Sequence, residues 1–149
     1  MSQVTEFLSE RIEQKLALLG QLRDLGQRQA GLIEIGDMTQ LLKLLSAKQR
    51  LLAALQSLER ELDPFRHEEP ESRQWTSPAH RQRCAVNAAA CEEMLRVIVD
   101  QERQSEAQMK LRRDEAAARL DGAGSVAAAH RAYVADQSPA ATHLDLLQG

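Results

Sequence analysis

Cys84 and Cys91 are the residues of this 149-residue chain with the plainest capacity for chemistry. They stand seven apart, two helical turns or about 10.5 Å along a helix axis, which is beyond the reach of a disulfide within one helix. His80 lies four residues before Cys84 and shares its helix face. A structural metal site, however, wants about four ligands at C-x-x-C or H-x3-H spacings, and the remaining ligands are missing from the sequence. Both cysteines therefore read as small core residues, and no metal is expected. His67, His130 and His143 fall in a loop, a short helix and a tail, and read as surface. Catalytic signatures are equally absent: there is no G-x-S-x-G, no Gly-rich phosphate loop and no H-E-x-x-H. The paired acids Glu68-Glu69 and Glu92-Glu93 are neighbours in sequence, which point apart on a helix and are solvated in a loop. Glu59, Arg60 and Glu61 read as a solvated helix face with ion pairs of little energy. The expectation is a protein that is not an enzyme and carries no cofactor.

Composition narrows what positions these residues. Hydrophobic residues make up 43% and charged ones 28%, the balance of a soluble, foldable domain. Aromatics are only 3%, so the core must be built from Leu, Ala, Val and Ile, which helical bundles manage and β-sandwiches rarely do. The net charge is -3, and basic residues such as Arg112 and Arg113 sit beside acids such as Asp114 and Glu115 rather than forming a stripe of one sign. Neither nucleic acid nor an anionic membrane suits that pattern. The first residues, MSQVTEFLSER, lack the basic start and apolar run of a secretion signal, and no segment approaches the roughly 18 apolar residues of a spanning helix. A cytoplasmic location without membrane insertion follows as the expectation.

Hydrophobic periodicity then sets out the elements. Apolar residues recur three or four apart from Val4 to Ile35, which predicts one amphipathic helix, weaker or bent in its second half where Gly26 and Gly31 stand. Gly36 offers a left-handed stop, and Asp37 with Gln40 three residues on predicts the cap of a second helix. That helix should run from about Met38 to Leu62 and end before Pro64. The stretch DPFRHEEPESRQWTSP reads as the main loop. Ser77 followed by Pro78 predicts the start of a third and longest helix, uninterrupted until DGAG at 121 to 124. A short fourth helix over roughly Val126 to Asp136, capped by Ser125, and a flexible tail complete the chain. The fold class is all-α: an antiparallel, coiled-coil-like bundle of three long helices, with residues 1–120 as the bundle domain and 121–149 as a C-terminal helix and tail.

Helix lengths add a finer expectation. If the three helices fold up-down-up, Leu62 lies level with about Pro78, and Met38 with about Glu102. The apolar seam of the third helix changes at the same point: Cys84, Ala88, Cys91, Leu95 and Ile98 give way to Glu102, Ser105, Met109 and Arg112. The bundle should end near Glu102 and a less buried arm should begin at about residue 103, unless a homodimer covers it. In the second helix, about 100° per residue puts Leu41, Leu45, Leu52, Leu55 and Leu62 on an inward stripe. Leu44, Leu51 and Leu58 form a second stripe beside it, read either as further core or as surplus contact surface. Lys48 lies near the middle of that arc, and Leu42 well off it.

The segment GDMTQLLKLLSAKQRLLAALQSLEREL carries a Gly36-Asp37 turn and the doublets Leu41-Leu42, Leu44-Leu45 and Leu51-Leu52, with Lys48-Gln49 between them. An amphipathic helix precedes it, and a proline-broken loop and a long helix follow. In these features the chain resembles the FlgN family of flagellar type III export chaperones, over roughly residues 5 to 120 in helix order and most closely over 36 to 62. The resemblance implies a cytoplasmic chaperone that holds the hook-associated, hook–filament junction proteins and presents them to the export gate. It also implies that the terminal amphipathic helix of the cargo is bound chiefly by the C-terminal region. There the sequence offers Val126, Tyr133 and Val134, then Leu144, Leu146 and Leu147, as anchors of an apolar strip. The alternative for Val126 and Val134 is burial against the bundle. Two rival functions remain: a structural coiled-coil protein that oligomerises through the same leucines, and a FliT-type chaperone serving the filament cap.

Overall fold

The computed structural model describes residues 2–137, and every regular element among them is helical. Three long helices occur: α1 (Ser2–Ile35), α2 (Met38–Arg66) and α3 (Pro78–Gln137), with a single 3-10 turn at Pro70–Ser72 before α3. Among the described residues no helix is long and apolar enough to cross a membrane. The chain divides into two compact units, Met1–Gln108 and Met109–Gly149.

The joint between α1 and α2 follows from two residues. Gly36 takes a positive φ of 76°, where a Cβ would be strained. The Gly36 N–H donates to Ile33 O (3.2 Å) and the Asp37 N–H to Leu32 O (3.1 Å), the paired bonds that close a helix C-terminus around a left-handed residue. The Asp37 carboxylate then accepts from the Gln40 N–H (3.1 Å) and caps α2. At the start of α3 the Ser77 hydroxyl accepts from the His80 N–H (3.1 Å), with Pro78 in the first turn as the sequence implied.

In two places a helix outlasts its expected end. α2 passes through Pro64 and stops at Arg66. A proline this close to the C-terminus removes one backbone donor, and the last turn has other supports. Phe65 stacks on Phe7 with ring centroids 6.0 Å apart, and the Arg73 guanidinium donates to Phe65 O (2.8 Å). α3 likewise continues through Asp121–Gly124 to Gln137, so there is no separate fourth helix and Ser125 caps nothing. Each glycine costs up to about 1 kcal/mol against Ala, but alanines, the best helix formers, flank them at Ala116–Ala118 and Ala127–Ala129. Gly36 is the one glycine among those described with positive φ.

The core of the first unit lies where the helices meet. Leu8, Leu62 and Cys84 form one buried cluster, joined by Ile12, Phe65 and Trp75. Leu19, Leu22 and Cys91 form the next, with Leu51, Leu55, Leu95 and Ile98 packed on it. Both cysteines are free and serve as core, and Cys91 Sγ lies 3.7 Å from Ile12 O. Beyond Ile98 the fastening of α3 turns polar. Gln101 donates to Arg23 O (3.1 Å), Glu102 meets Lys48, and Gln108 donates to Ala30 O (3.4 Å). Gly26 leaves the space that the Gln101 amide fills, since a Cβ there would collide with it. α1 remains helical through both Gly26 and Gly31.

These contacts correct the expected register and the expected face of α2. Lys48, not Met38, stands opposite Glu102, and Leu62 packs with Cys84 rather than near Pro78. The bundle consequently holds α3 as far as Gln108, beyond the expected limit at Glu102. The added turn of α2 past Pro64 shifts the pairing in this direction. On α2 the buried residues are Leu41, Leu44, Lys48, Leu58 and Leu62, while Leu45 and Leu52 are exposed. The inward face is turned by roughly 40° from the expected stripe, taking 100° per residue. The leucines cover a wider arc than the neighbours bury, so periodicity alone does not choose between its two edges.

Candidate partner-binding surface

From Met109 through Tyr133 every residue of α3 is exposed. A helix without a buried face ordinarily reads as polar all round, yet this one carries large apolar side chains in water: Leu120 is 74% exposed, Val126 71% and Tyr133 62%. At about 100° per residue, Leu120, Ala123, Val126, Ala127, His130, Tyr133 and Val134 fall within an arc of roughly 140°. Asp121, Ser125 and Ala128 occupy the other side, and Gly124 and Arg131 flank the edge beside Leu120. Such a strip, with mostly small residues between large ones, suits the close approach of a second amphipathic helix. On the N-terminal side of the strip Arg112 lies near Glu115 (3.8 Å) and Arg113 near Asp114 (3.3 Å), exposed pairs worth little energy.

Among the residues singled out from sequence, Val126 and Tyr133 lie two turns apart on this strip, and Val134 adjoins them half-buried. Leu144, Leu146 and Leu147 lie outside the described residues. Leu44 and Leu58 are buried and Leu51 is half-buried in the first unit, so this stripe is core there and not an exposed contact surface. The leucines that α2 does expose are Leu42, Leu45 and Leu52. Sequence reasoning missed Leu120, Ala123 and Ala127 as members of the strip. Their three-and-four spacing was readable, but the break expected at DGAG hid its continuity.

Reactive chemistry is scarce elsewhere. Burial pushes both the Cys84 and Cys91 thiols above the ordinary cysteine range, disfavouring the thiolate. Among the described residues no three His, Cys, Asp or Glu side chains gather as metal ligands. His80 packs edge-on against Trp75, ring centroids 5.2 Å apart, with a buried Nδ1 that has no hydrogen-bond partner. Glu59, expected to be a solvated surface acid, instead receives Lys15 (2.7 Å) and Arg66 and ties α1 to the end of α2. Partial burial works to raise its pKa, but the hydrogen bonds and charges of Lys15 and Arg66 outweigh that and hold it below the usual glutamate value.

No family model matches the chain, and no curated protein or solved structure matches it either.

Proposed function

We propose that this chain is a cytoplasmic export chaperone of the flagellar type III system. In this reading an antiparallel, coiled-coil-like bundle carries a C-terminal helical segment that grips the terminal amphipathic helix of a hook-associated protein and brings it to the export gate. The observation that carries the reading is the apolar strip from Leu120 to Val134, whose Leu120, Val126 and Tyr133 side chains stand in water on a stretch of α3, Met109 to Tyr133, that has no buried residue. The likeness of residues 36 to 62 to the FlgN family adds the flagellar context. Binding would consist of helix-on-helix packing, with Val126 and Tyr133 as anchors and the alanines allowing close approach. The test mixes the purified chain with a hook-associated protein from the same source and measures stoichiometric capture by calorimetry. Val126→Ser with Tyr133→Ser should weaken capture at least about tenfold, as loss of interface anchors does, while leaving the melt unchanged. Capture that survives both changes would remove the strip from the mechanism.

A second reading, an oligomerising structural coiled coil, draws on a different feature. α3 keeps three-and-four spacing along Cys84, Ala88, Cys91, Leu95 and Ile98, and again along Ala116, Leu120, Ala123, Ala127, His130 and Val134. It predicts a stable oligomer in sedimentation that takes up no cargo, the opposite outcome to the chaperone reading.

A further inference from the structure

Three buried polar side chains, one from each long helix, mark the level where the apolar seam of α3 runs out: Gln29, Lys48 and Ser105. The Lys48 ammonium donates to Gln29 Oε1 (2.8 Å) and pairs with Glu102, about one helical turn before Ser105. A layer of this kind gains less from closing than an apolar one, because each group in it exchanges a bond to water for a bond to protein.

Below this level α3 is held by apolar contact. Cys84 packs with Leu8 and Leu62, and Cys91 with Leu19 and Leu22, supported by Met94, Leu95 and Ile98. From Gln101 onward the fastenings are polar, and each has a weakness. Gln101 Nε2 donates to Arg23 O (3.1 Å), but its Oε1 is buried without a hydrogen-bond partner. An unmet buried acceptor favours any state in which water reaches it. The Glu102 side chain is half exposed, so water competes for its carboxylate. Gln108 reaches Ala30 O only at 3.4 Å, long for an N–H···O bond. At this level α1 also carries Gly26 and Gly31, the residue type that least resists bending of a helix.

We propose that residues 101–108 of α3 form a latch on the α1–α2 hairpin, one that opens and closes without unfolding of the first unit. In the open state these residues part from Arg23, Ala30 and Lys48, and water reaches Gln29, Lys48, Ser105 and Gln101 Oε1. The apolar layers around Cys84 and Cys91 stay closed. Opening is a sub-global event, drawn from the part of the unit with the fewest buried apolar contacts. The latch lies within the first unit and does not rest on the reading given to residues 120–134.

Thiol reactivity at the buried position of Ser105 reads the latch. Ser105→Cys replaces one oxygen by sulfur and adds a thiol to the full chain, whose native Cys84 and Cys91 are buried and free. Alkylation with iodoacetamide, resolved thiol by thiol in peptide mass spectrometry, should modify the introduced thiol at least about tenfold faster than Cys84 or Cys91. Its rate should not change with urea below the unfolding transition, whereas exposure through global unfolding accelerates steeply with denaturant. Glu102→Gln removes the charge from the ion pair and should speed the introduced thiol at least about tenfold further, leaving Cys84 and Cys91 as they were. Equal rates at all three thiols, rising together with urea, would overturn the proposal, because the layer would then open only when the whole unit unfolds. So would a rate at position 105 that ignores Glu102→Gln. If Ser105→Cys lowers the helical content, acetylation of Lys48 in the parent chain takes its place, with the exposed Lys43 as reference. A Lys48 rate well below that of Lys43 and independent of low urea supports the latch, and one that climbs with global unfolding overturns it.

Discussion

Lys48 of α2 buries its ammonium between Gln29 of α1, whose amide oxygen it meets at 2.8 Å, and Glu102 of α3, with which it forms an ion pair. One cation thus ties three helices together at the level where the apolar seam of α3 has run out. The partners are unequal: Lys48 is nearly inaccessible, whereas the Glu102 side chain is about half exposed at 48%. Removing the carboxylate leaves a buried charge with only a neutral acceptor. Glu102→Ala should therefore cost about 1.5–3 kcal/mol in denaturant melts, as loss of a charge-assisted bond does. Lys48→Met, which keeps the stem volume and removes the charge, should stay within about 1 kcal/mol of the parent. A larger loss for Lys48→Met than for Glu102→Ala would show that the ammonium does more than compensate its own burial.

The face of α2 is open to a paired test. Leu58 is 6% exposed and Leu52 is 37% exposed. Leu58→Ala should cost about 2–5 kcal/mol, in line with large-to-small core changes, and Leu52→Ala less than about 1 kcal/mol, as a surface change does. The reverse order would return the helix to the orientation that the leucine pattern first implied.

That pair also marks how far the sequence could be read. Local rules located the Gly36-Asp37 joint and the Ser77-Pro78 start, because each rests on one or two residues with a definite backbone requirement. The loss of apolar character after Ile98 was legible in the same way, and polar contacts do take over there. What periodicity could not choose was the rotation of α2, since its leucines cover more of the helix than its neighbours bury. Nor could it weigh Pro64 and DGAG correctly, because a breaker's cost competes with other supports: at Pro64 the stacking of the distant Phe7 on Phe65, and at DGAG the helix propensity of the flanking alanines. The strip from Leu120 to Val134 became visible only once α3 was seen to be continuous.

Three glycines of the first unit should respond differently to one added methyl group. Gly31 has open space around it, so Gly31→Ala should stabilise by about 0.5–1 kcal/mol through helix propensity and the unfolded chain. Gly26→Ala gains the same term but drives the Gln101 side chain off Arg23 O, a bond worth about 1 kcal/mol, and should come out near neutral. Adding Gln101→Ala to Gly26→Ala should remove the clash. Gly36→Ala meets a positive φ and should destabilise by about 1 kcal/mol or more. Thermal melts of the three single variants test the order directly.

Glu59 gives stability a definite dependence on acid. Its folded pKa is held below the ordinary glutamate value, so the folded state favours the ionised form. The contribution is present above the unfolded pKa and is lost as pH falls through the lowered folded value. Glu59→Gln should accordingly melt below the parent at pH 7, and the gap should narrow as pH drops under about 4.5. A gap that is constant between pH 7 and pH 3 would mean that Glu59 acts through packing and not through its charge.

Continuity of α3 through Gly124 is the structural premise of the proposed partner surface, and it can be broken without touching an anchor. Gly124 lies within the strip's span but off its face, with open space around it, so Gly124→Pro removes no contact from the surface. Proline in a helix interior costs about 3 kcal/mol and kinks or breaks the helix. Leu120 and Ala123 would then no longer align with Val126, Tyr133 and Val134. The first unit, which ends at Gln108, should keep its melting temperature. If a cargo helix spans the strip as one surface, capture should weaken at least about tenfold, comparable to losing the anchors themselves. Gly124→Ala serves as the control, preserving the helix and therefore the binding. Unchanged capture by Gly124→Pro would mean that Val126, Tyr133 and Val134 act as a short separate patch, and would take Leu120 and Ala123 out of the interface.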